Sequence, residues 1–236
     1  MENSPAGLNG PLSAREVGIR SYVVRSGRMT DMQKDALAGL YPKYGFDWDP
    51  ARTLGPLDIL GRESPFIIEI GFGMGTATAD IAEALPDSAF LGLEVHAPGV
   101  GKLLSEIEAR SIRNLRVCRH DAVEVVGSMI APATVDGFHV FFPDPWPKKR
   151  HHKRRIMGAG FIGLMASRLK AGGYLYYVTD WEEYAEATLE AMSAEPTLRN
   201  AYEGWAERKP WRPITKFERR AINEGRPVRE LVFEKR

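Results

Sequence analysis

Phe66-Ile67-Ile68-Glu69-Ile70-Gly71-Phe72-Gly73-Met74-Gly75 is an apolar run that stops at three glycines set two residues apart. A run this short, bounded by glycine, reads as a buried strand, and Thr76 to Ala84 continues it as a helix. Glycines at the turn let the backbone reverse tightly and let a ligand lie against bare main chain. Dinucleotide sites want Gly-x-Gly-x-x-Gly; here position 76 is Thr, so Gly71, Gly73 and Gly75 form Gly-x-Gly-x-Gly instead. Glu69 stands two residues ahead of the first glycine. A fixed carboxylate repels a pyrophosphate and attracts a ligand that carries an amino group and a sulfonium. The expected cofactor is therefore S-adenosylmethionine.

Strands and helices alternate outward from this turn, from Ser64 to about Glu190, the pattern of a mostly parallel sheet covered on both faces. Strands are expected near Phe66–Gly71, Ala89–Val95, Leu115–Arg119, Val135–Phe142 and Gly173–Thr179, with a last one at Arg229–Glu234. Helices are expected at Thr30–Lys43, Thr76–Ala84, Gly99–Arg110, Val123–Met129, Arg154–Leu169 and Trp181–Ala194. A Pro, Gly and Trp-rich loop follows the first helix up to Asp58. Glu94 ends the second strand, where an acid can accept hydrogen bonds from ribose hydroxyls. Asp121 follows the third, where a carboxylate can meet the exocyclic amine of adenine or simply cap the helix that starts near Val123. Three acids at three successive strand ends share one crevice.

The fourth strand runs into Phe141-Phe142-Pro143-Asp144-Pro145-Trp146-Pro147 and then Lys148-Lys149-Arg150-His151-His152-Lys153-Arg154-Arg155. Three prolines in five residues stop the strand and stiffen the turn, so Asp144 is expected at a strand's carboxyl end on a loop with little freedom. The octad after it holds six Lys or Arg and two His with no acid. Net charge is only +1, so outside this +6 segment the chain is acidic. A near-neutral protein that gathers its cations in one place binds polyanions there. Lys148, Arg150, Lys153, Arg154 and Arg155 are read as phosphate contacts, with His151 and His152 as added donors or stacking faces. Arg15, Arg20, Arg25 and Arg28 near the start, and Arg212, Lys216, Arg219, Arg220, Arg226 and Arg229 near the end, are further basic stretches.

At 236 residues the chain suffices for one α/β domain with its own core. No apolar run is long enough to span a bilayer. The Gly, Pro, Ser and Asn-rich start lacks an apolar h-region, so residues 1–26 read as a flexible tail or arm before a single domain of residues 27–236. Cys118 is the only cysteine, which excludes an intrachain disulfide, fits a reducing, cytoplasmic setting, and suits a packed side chain. No obligate metal is expected, and the oligomeric state is not legible.

With these residues in view, the chain resembles the bacterial tRNA (guanine-N7)-methyltransferases. The resemblance rests on Gly27-Arg28-Met29-Thr30, Glu69 to Gly75, Leu91 to Gly101, Asn114 to Val126, Phe141 to Arg155, Thr179-Asp180-Trp181 and Thr215-Lys216-Phe217-Glu218-Arg219-Arg220. It implies a class I methyltransferase fold: a Rossmann-like, mostly parallel seven-stranded sheet with an antiparallel edge hairpin and helices on both faces. It also implies S-adenosylmethionine as donor and the variable-loop guanosine at tRNA position 46 as acceptor. Cofactor contacts would come from Glu69, Glu94, Asp121 and Asp144, and tRNA or guanine contacts from Lys148, Asp180 and Thr215 to Glu218. Pro147 is given no chemical role.

Guanine N7 carries a free lone pair at neutral pH, so positioning should dominate over general base catalysis. The ring becomes cationic on methylation, and a carboxylate beside it gains attraction as that charge develops; Asp144 is the candidate. Phe217 could stack on a flipped base and Glu218 could bind its edge; the duller alternatives are a core Phe217, a surface Glu218, and Asp180 as an ordinary helix cap. Rival readings are an exocyclic-amine RNA methyltransferase, since Asp144-Pro145-Trp146 resembles that family's strand-end motif, a non-catalytic basic RNA-binding module, and an NAD-linked oxidoreductase.

Overall fold

The computed structural model describes residues 20–23 and 29–236. Apart from 20–23, the expected arm of residues 1–26 and the motif residues Gly27 and Arg28 lie outside the described residues. Strands β1 (Gly45–Phe46), β2 (Phe66–Ile70), β3 (Ala89–Leu93), β4 (Leu115–Cys118), β5 (Val135–Phe141), β6 (Leu169–Thr179), β7 (Leu198–Asn200) and β8 (Arg229–Lys235) form one sheet in the order β1-β4-β3-β2-β5-β6-β8-β7. All neighbouring pairs are parallel except β6 with β8 and β7 with β8. The sheet has eight strands where seven were expected; the addition is the two-residue β1, which pairs Gly45 with Val117 and Phe46 with Cys118. The antiparallel edge is present, but β7 and β8 are joined through residues 201–228 and not by a tight hairpin.

Helices are α1 (Asp31–Tyr44), α2 (Pro56–Leu60), α3 (Thr76–Ala84), α4 (Ala97–Ala109), α5 (Ala122–Ser128), α6 (Ala159–Arg168), α7 (Glu182–Ser193) and α8 (Lys216–Asn223). Every residue of β2 and β3 is buried, as a strand covered on both faces requires. Phe66, Ile68 and Ile70 pack with the helices α5 and α6, through Val125, Ile162 and Met165. Ile67 and Phe90 pack on the other face with Ile81 of α3 and Leu103 of α4. Alternation along β2 therefore turns Glu69 toward the α3 and α4 side. Cys118 is buried, and burial pushes its thiol up to about 12, as befits a packed side chain.

Three helices depart from expectation, the first being the short α2, which begins inside the stretch read as a loop up to Asp58. The helix expected from Arg154 begins at Ala159; Lys149–Arg154 forms a short 3-10 segment, and Arg155 is extended. Cations stacked a turn apart do not favour a regular helix, and Gly158 supplies the start. Helix α8 occupies a stretch read only as the approach to the last strand; Thr215 caps it by accepting from the Glu218 N–H at 3.1 Å. Among the described residues no helix is long and apolar enough to cross a membrane.

Candidate functional site

Strand order reverses at β2, with β3 and β4 on one side and β5 and β6 on the other. Open α/β sheets bind ligands in the crevice outside the carboxyl ends of the strands at such a point. A cavity of about 590 Å³ lies there, lined by Glu69, Gly71 to Gly75, Glu94 and Phe141 to Asp144, and closed by Thr215 to Phe217.

Gly71 and Gly73 have φ of +73° and +61°, a region that disfavours side chains. A Cβ on either would meet no atom within 4 Å, so the glycines are set by backbone shape and leave bare main chain facing the cavity. Gly75, also at positive φ, caps α3. Gly99 at the start of α4 has another reason: a Cβ there would stand 1.9 Å from the Gly73 carbonyl oxygen. Helix α4 is thus laid directly against the glycine turn.

Glu94 ties this turn to the end of β3. Its Oε2 accepts from the Gly73 N–H at 2.8 Å, and its Oε1 accepts from the Val95 and His96 N–H groups at 2.7 and 2.9 Å. A carboxylate has about four acceptor positions, so one on Oε2 stays open. Glu69 is 4% exposed, and its Oε2 has no hydrogen-bond partner. Burial pushes its pKa up to about 7; the neighbouring Thr78 works against this and the Glu94 charge adds to it. A buried acceptor without a donor, beside open glycine backbone, is suited to a ligand that brings a cationic N–H. The residues therefore fit S-adenosylmethionine, which brings an ammonium.

Asp121 takes the capping role that its position in the sequence also allowed. Its Oδ1 accepts from the Val123 N–H at 2.9 Å and caps α5, and the cavity is lined by its neighbours His120 and Ala122. Tyr22 lines the cavity beside it; burial raises the Tyr22 pKa, and the Asp121 charge adds to the rise.

Asp144 is exposed at the cavity, between two strained residues: Phe142 at φ +50° and Trp146 at φ +45°. Each costs roughly 1–3 kcal/mol and persists only where surroundings hold it. Phe142 donates its N–H to the Val178 carbonyl at 2.7 Å and stacks on Phe217, ring centroids 6.2 Å apart. Trp146 donates from Nε1 to the Ser21 carbonyl at 3.1 Å and lies under the Arg154 guanidinium.

The octad is divided. Lys148, Lys149, Arg150 and Lys153 are exposed, and among the described residues none of them pairs with a carboxylate. His151 is half-buried, edge-on to Trp146, and burial with the surrounding cations lowers its pKa. His152 is half-buried too, with Nδ1 3.9 Å from Glu183. Arg155 has a side chain 7% exposed and held by Glu183, so its expected phosphate contact is corrected: the guanidinium is turned inward.

Glu218 needs a second correction. It is neither a surface acid nor a cavity-lining group; it is buried, and both its oxygens accept from Arg212, at 2.7 and 3.0 Å. Arg212 also donates to Glu230 at 2.6 Å and to the Tyr176 hydroxyl at 3.1 Å. Burial works against the Arg212 charge, but the two carboxylates and Tyr176 outweigh it and hold the pKa above its ordinary value. Phe217, one residue away, is 50% exposed and lines the cavity, so it is not core. Asp180 is ion-paired to Arg226 and lies outside the lining, while Trp181 takes the cap position of α7. Tyr22 lines the cavity without having been singled out from sequence, and nothing local marks it; Phe142 and Arg219, which stand in the quoted motifs, line it too. Among the described residues no cluster of His, Cys, Asp or Glu is gathered as a metal would require.

A family model described as "Putative methyltransferase" matches residues 63–231. The tRNA (guanine-N(7)-)-methyltransferase of Paraburkholderia xenovorans is 49% identical over 239 residues, covering 100% of this chain and 91% of the relative. That of Bordetella pertussis is 51% identical over 225 residues, covering 95% and 88%. Among solved structures, the 16S rRNA methyltransferase KamB aligns with a TM-score of 0.57 at 15% identity, over 76% of this chain and 92% of its own, a likeness of fold.

Proposed function

Since the chain belongs to the family of bacterial tRNA (guanine-N(7)-)-methyltransferases, we propose that its strand-end crevice transfers a methyl group from S-adenosylmethionine to N7 of the variable-loop guanosine of tRNA. The single observation that carries the assignment of the crevice is Glu69: a buried carboxylate with a free oxygen, lining one cavity with the glycine turn. When bound, the donor supplies a methyl made electrophilic by its sulfonium. Glu69 takes the amino group, Glu94 offers its open Oε2 position to one ribose hydroxyl, and Gly71 and Gly73 accommodate the chain between them. Asp121 is the candidate for the adenine amine through the oxygen not engaged in its cap.

Phe217 and Phe142 form an aromatic wall at the cavity mouth on which an extruded guanine stacks. Asp144 accepts from its N1–H and exocyclic amine and leaves N7 toward the methyl. As the N7–CH₃ bond forms and the S–CH₃ bond breaks, positive charge moves to the ring and its attraction to Asp144 grows. Lys148, Arg150, Lys153 and Arg154, with Lys216 and Arg219 near the mouth, meet phosphates, and Thr215 fixes the start of the wall. The setting is the cytoplasm, where tRNA is the partner. Digestion of unmodified tRNA after reaction with labelled donor tests this: 7-methylguanosine should be the labelled nucleoside, and N6-methyladenosine or N2-methylguanosine would replace the N7 assignment with the exocyclic-amine reading.

Two further outcomes are expected. Donor binding requires Glu69 ionised, so as pH falls below about 7 affinity should weaken, approaching tenfold per unit. Above about 8 the donor's own amino group loses its proton and affinity falls again. Calorimetry across pH 5.5 to 9 checks this, and Glu69→Gln should weaken binding and flatten the acid limb; an unchanged profile in that variant would remove Glu69 from the site. For the polynucleotide, log affinity should fall against log salt with a slope of about −0.7 per phosphate neutralised on single-stranded segments, and Lys148→Ala should reduce that slope by about 0.7.

A further inference from the structure

We propose that Arg155 is a positioning residue for methyl transfer: paired with Glu183, it holds the loop that carries Asp144. The inference rests on the reading of Asp144 as the group that meets guanine. The Arg155 Nε–H donates to the Pro145 carbonyl, one residue past Asp144, at 3.0 Å. Its Nη1 and Nη2 donate to the two Glu183 oxygens, Nη1 at 2.9 Å. Its guanidinium lies over the Tyr184 ring, 4.6 Å from the centroid, and Tyr184 is itself 1% exposed and accepts from the Met157 N–H. Three of the five donors of the guanidinium are spent, its charge is matched, and one face is covered. The bidentate geometry is the strong form of this pair, and Arg155 holds the Glu183 carboxyl below its usual range.

The same loop explains why such a clamp matters. Asp144 stands between Phe142 and Trp146, both at positive φ, and a strained turn relaxes when its restraints are removed. Phe142 is fixed from the sheet through Val178. On the Trp146 side the Pro145 carbonyl is held by Arg155, which links the loop to α7. Arg155 is the last residue of the octad but separate from the rest in role: among the described residues Lys148, Lys149, Arg150 and Lys153 pair with no carboxylate, whereas Arg155 is held by Glu183.

Glu183→Gln is the informative variant because Glu183 is 56% exposed and glutamine keeps the shape and one acceptor oxygen for Arg155 while removing the charge. With equal thermal midpoints for the two proteins established, kcat should fall tenfold or more, up to about 10²-fold for a displaced reacting group, while the tRNA Kd and its salt slope stay those of the unsubstituted enzyme. Arg155→Gln should behave the same way. Lys153→Ala should instead raise the tRNA Kd and shallow the slope. A Glu183→Gln enzyme with unchanged kcat, or an Arg155→Gln enzyme whose loss lies in tRNA Kd and slope, would overturn the proposal and return Arg155 to the phosphate contacts. Asp144→Asn run beside them separates the two levels: if it keeps full turnover, the reading of Asp144 itself has failed.

Discussion

Asp144→Asn should lower kcat by about 10²–10³-fold, the scale seen when one preorganised electrostatic group is removed from a site of developing charge. The change conserves shape and removes charge. Asn still offers one carbonyl oxygen, but its amide N–H₂ faces the guanine N1–H or exocyclic amine, donor against donor. The loss should fall mainly on kcat, because the cation on the ring exists only after the lone pair has begun to bond. Donor affinity, set by Glu69 and the glycine turn, should change by no more than a factor of a few. Single-turnover measurements with saturating tRNA check this; a variant that loses tRNA affinity while keeping its single-turnover rate would make Asp144 a docking residue.

Arg212→Met should be the most destabilising single change at the site's periphery. Arg212 is 0% exposed, and the side chains of Glu218 and Glu230 are each 6% exposed. Removing the cation strands two carboxylates in the interior, and breaking such a buried pair typically costs about 3–5 kcal/mol. The urea midpoint should move accordingly at unchanged slope, and neutralising the acids together with the arginine, by adding Glu218→Gln and Glu230→Gln, should recover much of the loss. A midpoint shift below about 1 kcal/mol would mean the network contributes little. Its location gives it a functional consequence. Glu218 sits in the first turn of α8, directly after Thr215, Lys216 and Phe217, so the network behind the cavity sets the wall in front of it.

What could be read from sequence followed the range of the forces involved. The strand of Phe66 to Ile70, the glycine turn and α3 are fixed by local rules: burial on both faces, positive φ, and a helix starting at the turn. Their positions followed from the residues alone, as did the gathering of Glu69, Glu94 and Asp144 at one sheet edge. β1 and β7 are two and three residues long and carry no alternation to read; pairing partners far along the chain create them. Helix α8 had a signal, the Thr-x-x-Glu start of Thr215 and Glu218, obscured by its charged composition. Arg155 and Glu218 were the hardest. A run of cations predicts a solvated face, and a glutamate among arginines predicts a surface acid, because charge is visible in sequence and burial is not. Arg155 is buried by Glu183 and Tyr184 of α7, and Glu218 by Arg212 before it and Glu230 on β8. Those partners are brought close by the fold and by nothing in the local pattern.

The most direct test is the structure of the enzyme with S-adenosylhomocysteine and unmodified tRNA. The sulfur is expected over Gly71 to Gly73, the amino group on Glu69, and a variable-loop guanine against Phe217 with N7 toward the sulfur and the Asp144 carboxylate on its N1 edge. A donor product bound elsewhere, or a guanine seated with Asp144 turned away from it, would contradict that expectation.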